Sequence, residues 1–431
     1  MSHAPDKRFD YRMGWLAGPQ DVVVIGGPDC PAFEAYQRTV TGSVGLTYLN
    51  VDPANAMPRR ATTAICLRDV NSFERLEGVV AGRMGTTLHA HLTTGTIWAL
   101  ASRLAQKIRT KVFVAGPPPL LSRRCNDKLW FGGVVKRLLG AGATPPKRAA
   151  FSAAALTRQV ADLAKKWDRI VVKVPDSAGS AGNFVIHAHD VRDIGARALF
   201  KRLRDALPKN GRAPRFPMLV EVWDANVLTS PSVQTWIPSP EDGPPIIEGV
   251  FEQILSGETA AFAGAAEADL PRHIDDSLST GAMELAMVLQ RLGYFGRCSF
   301  DALVTGANSH VGAIHWIECN ARWGGVSVPM SLVNRLAGAD RAPPFVIVQN
   351  DSDPFRPFPF AAAVQEFSNL APAPDLRSGV LFLSPNLMEA GTGCHFLSFG
   401  TDAKAAERQA KAALHRLSCS ERCTAPTRAR T

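Results

Sequence analysis

Asp301, Glu318, Asn320 and Arg322 fall within one stretch, Leu292 to Gly325, which reads LGYFGRCSFDALVTGANSHVGAIHWIECNARWGG. Cys298, Phe300, Ala302 and Val304 alternate with Arg297, Ser299, Asp301 and Leu303, the pattern of a half-buried strand, and Ala313 to Arg322 reads as a second. Gly306 to His310 between them is turn chemistry, so the pair is expected to form a hairpin. With the loop centred near His310, Asp301 lies opposite Glu318, and Asn320 shares the face of Glu318 because side chains repeat every two residues. Facing carboxylates destabilise a sheet unless a cation sits between them. Asp, Glu and Asn offer hard oxygen ligands, which suit Mg²⁺, and Mg²⁺ commonly shares its coordination with substrate phosphates. The bland alternative is an exposed strand pair with solvated acids. Arg322, followed by Trp323-Gly324-Gly325, adds a cation and a flexible segment beside an anionic reaction centre.

A phosphate-bearing ligand needs further cations, and two lysines stand where elements begin or end. Asn126 is a good N-cap and Asp127 suits a first helical turn, so Lys128 is expected to open a helix running to Leu139, where the dipole disfavours it. Asp168 to Lys173 (DRIVVK) reads as a strand ending in a lysine. The small residues of Pro175 to Gly182 follow, then a strand over Asn183 to His187. Gly179, Ser180 and Gly182 would let the backbone close over an anion and present N–H groups to it. The Walker spacing is absent.

The elements around these residues are α/β. Asp21 to Gly27, Phe33 to Val40 and Leu46 to Val51 read as strand, helix and strand, without the G-x-G-x-x-G fingerprint. Thr62 to Leu67 (TTAICL) and Lys111 to Gly116 read as further strands, flanking a helix over Gly95 to Ile108. Met218 to Trp223 is an apolar strand carrying Glu221, Ser230 to Pro245 a Pro/Ser-rich insertion, and Ile246 to Leu255 a strand. Ser277 to Leu292 reads as a helix whose Met283, Leu285, Met287, Val288 and Leu289 are core candidates. Pro343 to Val348, Gly379 to Ser384 and Cys394 to Phe399 suggest strands, and Asp402 to Leu417 a last helix.

Asp301 followed by Glu318-Cys-Asn320-Ala-Arg322 resembles the metal-binding strands of the ATP-grasp superfamily, and Lys128, Lys173 and Glu221 precede it in that superfamily's order. The resemblance implies an ATP-grasp α/β fold with a leading Rossmann-like (pre-ATP-grasp) domain over residues 1–120 and a nucleotide-binding, catalytic region over 121–340. A lid subdomain would occupy about residues 145–225, and a small C-terminal α+β region residues 341–431. It implies ATP with Mg²⁺, or Mn²⁺ in its place, as cofactors. Asp301, Glu318 and Asn320 would be the metal ligands. Lys128, Lys173 and the lid residues Gly179, Ser180 and Gly182 would contact phosphates, while Glu221, Val222 and Asp224 would hold the base. Arg322 and Arg297 become the catalytic pair at a carboxylate and its acyl phosphate. D-alanine-ligase-like members place an arginine two residues before the first metal acid, whereas Ser299 stands there in this chain, which leaves the role of Arg297 open. The implied reaction is ADP-forming carboxylate-amine ligation. Within the superfamily, Asn126-Asp127-Lys128, the Glu318 to Gly325 block and the extra C-terminal region look like peptide ligases of the pheganomycin type, whose substrates are small carboxylates and amines or short peptides. The alternatives are an ATP-grasp enzyme with another acceptor, as in carboxylases, and a nucleotide-binding protein without turnover.

Composition bears on the class. The chain has 431 residues, enough for two or three domains. A formal net charge of +9 invites a nucleic-acid reading, but the basic residues are spread and form no recognition module, and a basic balance also suits anionic substrates. No apolar run reaches the roughly 20 residues of a membrane span, and the N-terminal stretch lacks a secretory apolar core. Eight scattered cysteines suit a reducing compartment. The expectation is a cytoplasmic enzyme, with a homodimer as its candidate assembly.

Overall fold

The computed structural model describes residues 7–54, 56–57, 60–177, 183–206, 216–306, 312–338, 342–350, 357–373 and 375–419. The chain packs as two compact units, one built from Val80–Phe262 and Ala268–Ser327, the other from Pro5–Val79, Ala263–Glu267 and Val328–Thr431.

The first unit begins with a parallel pair, Thr86–His89 beside Val112–Ala115, connected by the helix Gly95–Ile108. Helix α1 (Lys128–Leu138) follows, then strands β1 (Lys147–Ala150), β2 (Arg169–Lys173), β3 (Phe184–His187) and β4 (Met218–Val222). These four strands form an antiparallel sheet in the order β1-β4-β2-β3. The helix Ala153–Ala164, capped by Ser152, covers it and buries Leu156, Val160 and Leu163 among Ile170, Val172 and Val220. A second antiparallel sheet uses β5 (Pro231–Ile237), β6 (Ile246–Ser256), β7 (Gly296–Thr305) and β8 (Ala313–Asn320), in the order β8-β7-β5-β6. Helix α2 (Arg272–Arg291) lies between β6 and β7 in sequence.

The core of the second sheet explains its position. Phe300 of β7 is fully buried, stacks on Phe131 of α1 with centroids 6.0 Å apart, and meets the edge of Trp316 of β8 at 6.3 Å. Ile274, Leu278, Leu285 and Leu289 make the buried stripe of α2, at the spacing of one helical face. Met287 is exposed, so the methionine spacing marked the helix but not its inner face. Burying aromatic and aliphatic groups against β7 and β8 fixes which way the alternate residues, Asp301 and Glu318 among them, point.

In the second unit, Val22–Ile25 pairs in parallel with Thr47–Asn50 across the helix Pro31–Thr41. Phe345–Asn350, Cys394–Phe399 and Gly379–Phe382 form antiparallel pairs, and the helix Ala403–Cys419 is the last described element. Thr62 to Leu67, expected as a strand, is the start of a helix, Thr62–Arg68. The Ala64 and Ile65 N–H groups both donate to Ala61 O, and burial of the neighbouring Ile65 and Cys66 outweighs the β-branched composition.

His395 is 1% exposed in this unit, its ring edge-on to Phe9 at 5.7 Å, and neither ring nitrogen has a hydrogen-bond partner among the described residues. Burial, reinforced by the Arg12 guanidinium, pushes its pKa well below the usual 6.5. The ring stays neutral in the folded state and charges in the unfolded state once the pH drops through about 6.5, so unfolding gains a proton and stability falls. Folding stability is therefore expected to decline below about pH 6.5, by up to roughly 1.4 kcal/mol per pH unit from this group. His395→Phe should flatten the unfolding midpoint between about pH 7 and 5; parallel pH profiles for variant and wild type would rule the assignment out.

Candidate active site

Cross-strand pairing aligns Ser299 with Asn320 and Asp301 with Glu318, as the alternation predicts, and a register shift follows between Asp301 and Ala302. Asn320 Nδ2 donates to Asp301 Oδ2 at 2.8 Å and to Glu318 Oε1 at 3.4 Å. Ser232 of β5 donates its hydroxyl to Asp301 Oδ1 at 2.6 Å, and Gln234 Nε2 donates to Ser232 Oγ at 2.9 Å. The segment Ser230 to Pro245, expected as an insertion, thus contains β5, the strand paired with β7 on one side and β6 on the other. Ser232, Gln234 and Thr235 are buried there although polar.

Asp127, not Asn126, caps α1: its Oδ1 accepts from Leu129 N at 2.8 Å and Trp130 N at 3.2 Å. Lys128 then occupies the first helical position and is 5% exposed. Its Nζ pairs with Glu318 Oε2 at 2.6 Å and donates to Ser177 O at 2.8 Å, while its N–H donates to Pro175 O at 3.0 Å. The unfavourable dipole at this position is offset by an ion pair and a carbonyl. Asn126 ends the preceding helix, Pro119–Cys125, and its side chain holds the far end of the hairpin. Asn126 Oδ1 accepts from Arg322 Nη1 at 2.7 Å and from Ala321 N at 3.2 Å, while Nδ2 donates to Ser122 O at 2.7 Å and Ala321 O at 3.3 Å.

The two acids differ in character. Burial, followed by the charge of Glu318, pushes the Asp301 pKa up, only partly countered by hydrogen bonds from Ser232 and Gln253 and by Arg322. Burial alone would raise Glu318 too, but the Lys128 ammonium, with Arg322 and Lys173, outweighs it and holds Glu318 low. Two facing carboxylates with a third oxygen-bearing side chain between them offer the hard donor set that suits a small dication. The Asn320 amide turns its NH₂ toward both acids; a half-turn about its last torsion would present Oδ1 instead.

A second cluster lies on the four-stranded sheet. Glu221 of β4 is 1% exposed; its Oε1 accepts from Lys173 Nζ, and Lys147 Nζ lies 3.7 Å from its Oε2. Lys147, which sequence pattern did not mark, is directly opposite Glu221 in the β1–β4 pairing.

The remaining candidates are placed elsewhere. Arg297 pairs with Glu248 of β6 and lies between the rings of Trp236 and Trp323, 5.2 and 5.1 Å from their centroids; burial brings its pKa down to about 10. Asp224 Oδ2 is 2.9 Å from His315 Nδ1. The Val222 N–H donates to Pro146 O at 2.9 Å, so that donor is committed within the sheet. Gly179, Ser180 and Gly182, with the His310 turn, lie outside the described residues. The sequence signals missed were polar ones: Ser232, Gln234, Gln253 and Lys147 belong to no motif and are identified only by the partners the fold supplies, as is the role of Asn126 in holding Arg322.

Residues 10–106 match the family model described as the Pre ATP-grasp domain. No curated protein matches the chain by sequence. Among solved structures, N5-carboxyaminoimidazole ribonucleotide synthetase from Thermus thermophilus is similar at 14% identity and a TM-score of 0.57, over 97% of this chain and 98% of that one. The biotin carboxylase–β,γ-ATP complex from Campylobacter jejuni gives 14% and 0.57 over 95% and 88%. The biotin carboxylase domain dimer of the Hydrogenobacter thermophilus 2-oxoglutarate carboxylase, in complex with MgADP and bicarbonate, gives 13% and 0.55 over 95% and 86%. No helix among the described residues is long and apolar enough to cross a membrane. With full-length similarity to these enzymes and a matching leading domain, the chain has the ATP-grasp fold.

Proposed function

We propose that the protein is an ADP-forming carboxylate-amine ligase. The observation that carries this reading is the convergence of Asp301, Glu318 and Asn320 on one hairpin with Lys128 ion-paired to Glu318 and Arg322 held beside them by Asn126. The reaction is the transfer of the ATP γ-phosphoryl to a carboxylate oxygen, breaking the γ-phosphorus to ADP oxygen bond. An amine nitrogen then attacks the acyl carbon, expels inorganic phosphate and loses a proton, leaving an amide.

Asp301, Glu318 and Asn320 would hold Mg²⁺, which when bound neutralises the β- and γ-phosphates. Lys128 and Lys173 bring positive charge to the phosphates, and Glu221 fixes Lys173 before they arrive. Arg322 presents its guanidinium to the carboxylate and then to the acyl phosphate. Gly179, Ser180 and Gly182 are assigned to the phosphates, while Val222, through its carbonyl, and Asp224 contact the nucleoside. Arg297, over the rings of Trp236 and Trp323, is assigned to the binding of the carboxylate substrate. The preferred substrates are an amino-acid-like carboxylate and the amine of an amino acid or short peptide, a reading supported by the likeness of Asn126-Asp127-Lys128 and the Glu318 to Gly325 block to pheganomycin-type peptide ligases. Six buried free cysteines among the described residues suit a reducing, cytoplasmic setting.

The test is a mass-spectrometric screen with MgATP, pooled amino acids, short peptides and bicarbonate, run beside Glu318→Gln. ADP together with a product equal in mass to donor plus amine minus water, both lost in the variant, supports the ligase. A bicarbonate-dependent product supports a carboxylating enzyme instead. Absence of nucleotide binding in a direct titration defeats the reading altogether.

A further inference from the structure

Glu221 has two lysines for one carboxylate. The side chains of Lys147, Lys173 and Glu221 are 6%, 10% and 2% exposed, so two ammonium groups face one carboxylate largely out of water, an arrangement that stability alone does not favour. Lys173 is close against Oε1, whereas Lys147 waits 3.7 Å from Oε2. The fold makes room for this second cation at a cost: Gly132, in the middle of α1, faces Lys147, and a Cβ there would lie 2.5 Å from Lys147 Nζ. Lys147 is also in register opposite Glu221, so its stem starts beside the carboxylate and a small side-chain rotation closes the 3.7 Å between Nζ and Oε2.

We propose that Lys147 is a reserve counter-ion: when Lys173 leaves Glu221 for the phosphates of a bound nucleotide, Lys147 takes over the carboxylate and keeps it charged and in place. The proposal rests on the nucleotide-site reading above and assigns Lys147 a positioning role. Without Lys147, moving Lys173 to a phosphate would strand a buried carboxylate, and the cost would appear as weakened nucleotide binding. With Lys173 still on Glu221 in the empty protein, the same substitution should leave the nucleotide-free protein nearly unchanged.

The experiment measures the Kd of MgADP and of the magnesium complex of the β,γ-imido analogue of ATP by calorimetry, alongside the unfolding midpoint without nucleotide. Wild type is compared with Lys147→Met, Lys147→Gln, Lys147→Arg, Glu221→Gln and the Lys147→Met/Glu221→Gln double variant. The expected result is about tenfold to a hundredfold weaker binding in Lys147→Met and Lys147→Gln, recovery to within a few-fold in Lys147→Arg, and little further loss when Lys147→Met is added to Glu221→Gln. Three results would each overturn the proposal. Binding in Lys147→Met and Lys147→Gln could stay within about twofold of wild type while the midpoint falls, the mark of a packing role. The loss could be as large in the Glu221→Gln background, which would put Lys147 directly on the nucleotide. Wild type could bind neither nucleotide, which removes the site reading itself, whereas the first two results leave that reading standing.

Discussion

Glu318→Gln is expected to lower ATP-dependent turnover by roughly 10²- to 10³-fold while the protein remains folded. The glutamine keeps the volume and one oxygen but removes the charge that Lys128 meets at 2.6 Å and that faces Asp301 across the hairpin. Two effects combine. Lys128 loses its carboxylate and keeps only Ser177 O, so its ammonium is less firmly held in the position from which it would reach a phosphate. Asp301 loses the like charge that helps hold its pKa up, so the carboxyl becomes a more ordinary acid. The Phe131–Phe300–Trp316 core beneath the hairpin is untouched, and the unfolding midpoint should shift by only a few degrees. There is a further signature in pH. Glu318 is held below its unfolded pKa, so its contribution to stability is present above the unfolded value of 4.5 and fades as pH falls through the lower folded value. The variant should lack that acid-side loss. Turnover in Glu318→Gln above about a tenth of wild type would sink the assignment of Glu318 to the reacting centre.

The hairpin was legible in the sequence because a period of two leaves little freedom: once Phe300 and Cys298 point into the core, Asp301 must point the other way, and the turn sets its partner. Lys128 stood out because it opens a helix, where the dipole disfavours a cation, and Lys173 through its place at a strand's end in the ATP-grasp order. β5 was not legible. It is buried on both faces and carries Ser232 and Gln234 on one and Thr235 on the other, so a pattern that equates burial with apolarity reads the strand as surface. Those polar groups are buried because the site needs them, Ser232 to hold Asp301 and Gln234 to hold Ser232. Asn126 shows the limit of local rules: cap preference favours it, yet Asp127 takes the cap, and Asn126 is spent on a contact 196 residues away. Lys147 and Gln253 likewise depend on partners brought together by sheet order, and Thr62 to Leu67 became helical through burial that its β-branched composition does not report.

The two arginines of the hairpin region separate in the fold, and this gives the second large effect. Arg297 is engaged by Glu248 and enclosed by Trp236 and Trp323, whereas Arg322 is held by a neutral amide, Asn126 Oδ1 at 2.7 Å, which orients a guanidinium without cancelling its charge. An oriented guanidinium that no carboxylate of the described residues grips directly is suited to a carboxylate or acyl phosphate, because its planar fork can donate two parallel hydrogen bonds. Arg322→Lys is therefore expected to lower kcat by roughly 10²-fold with little change in the KM for ATP, since an ammonium keeps the charge and loses the fork. Asn126→Ala should act through Arg322 and cost less, about tenfold in kcat, and adding it to Arg322→Lys should cost little more. Arg297→Lys, by contrast, should raise the KM for the carboxylate more than it lowers kcat. A kcat of Arg322→Lys near that of wild type, or an Arg297→Lys variant that loses kcat the more steeply of the two, would exchange the roles and move the reacting carboxylate to the tryptophan-lined side of the site.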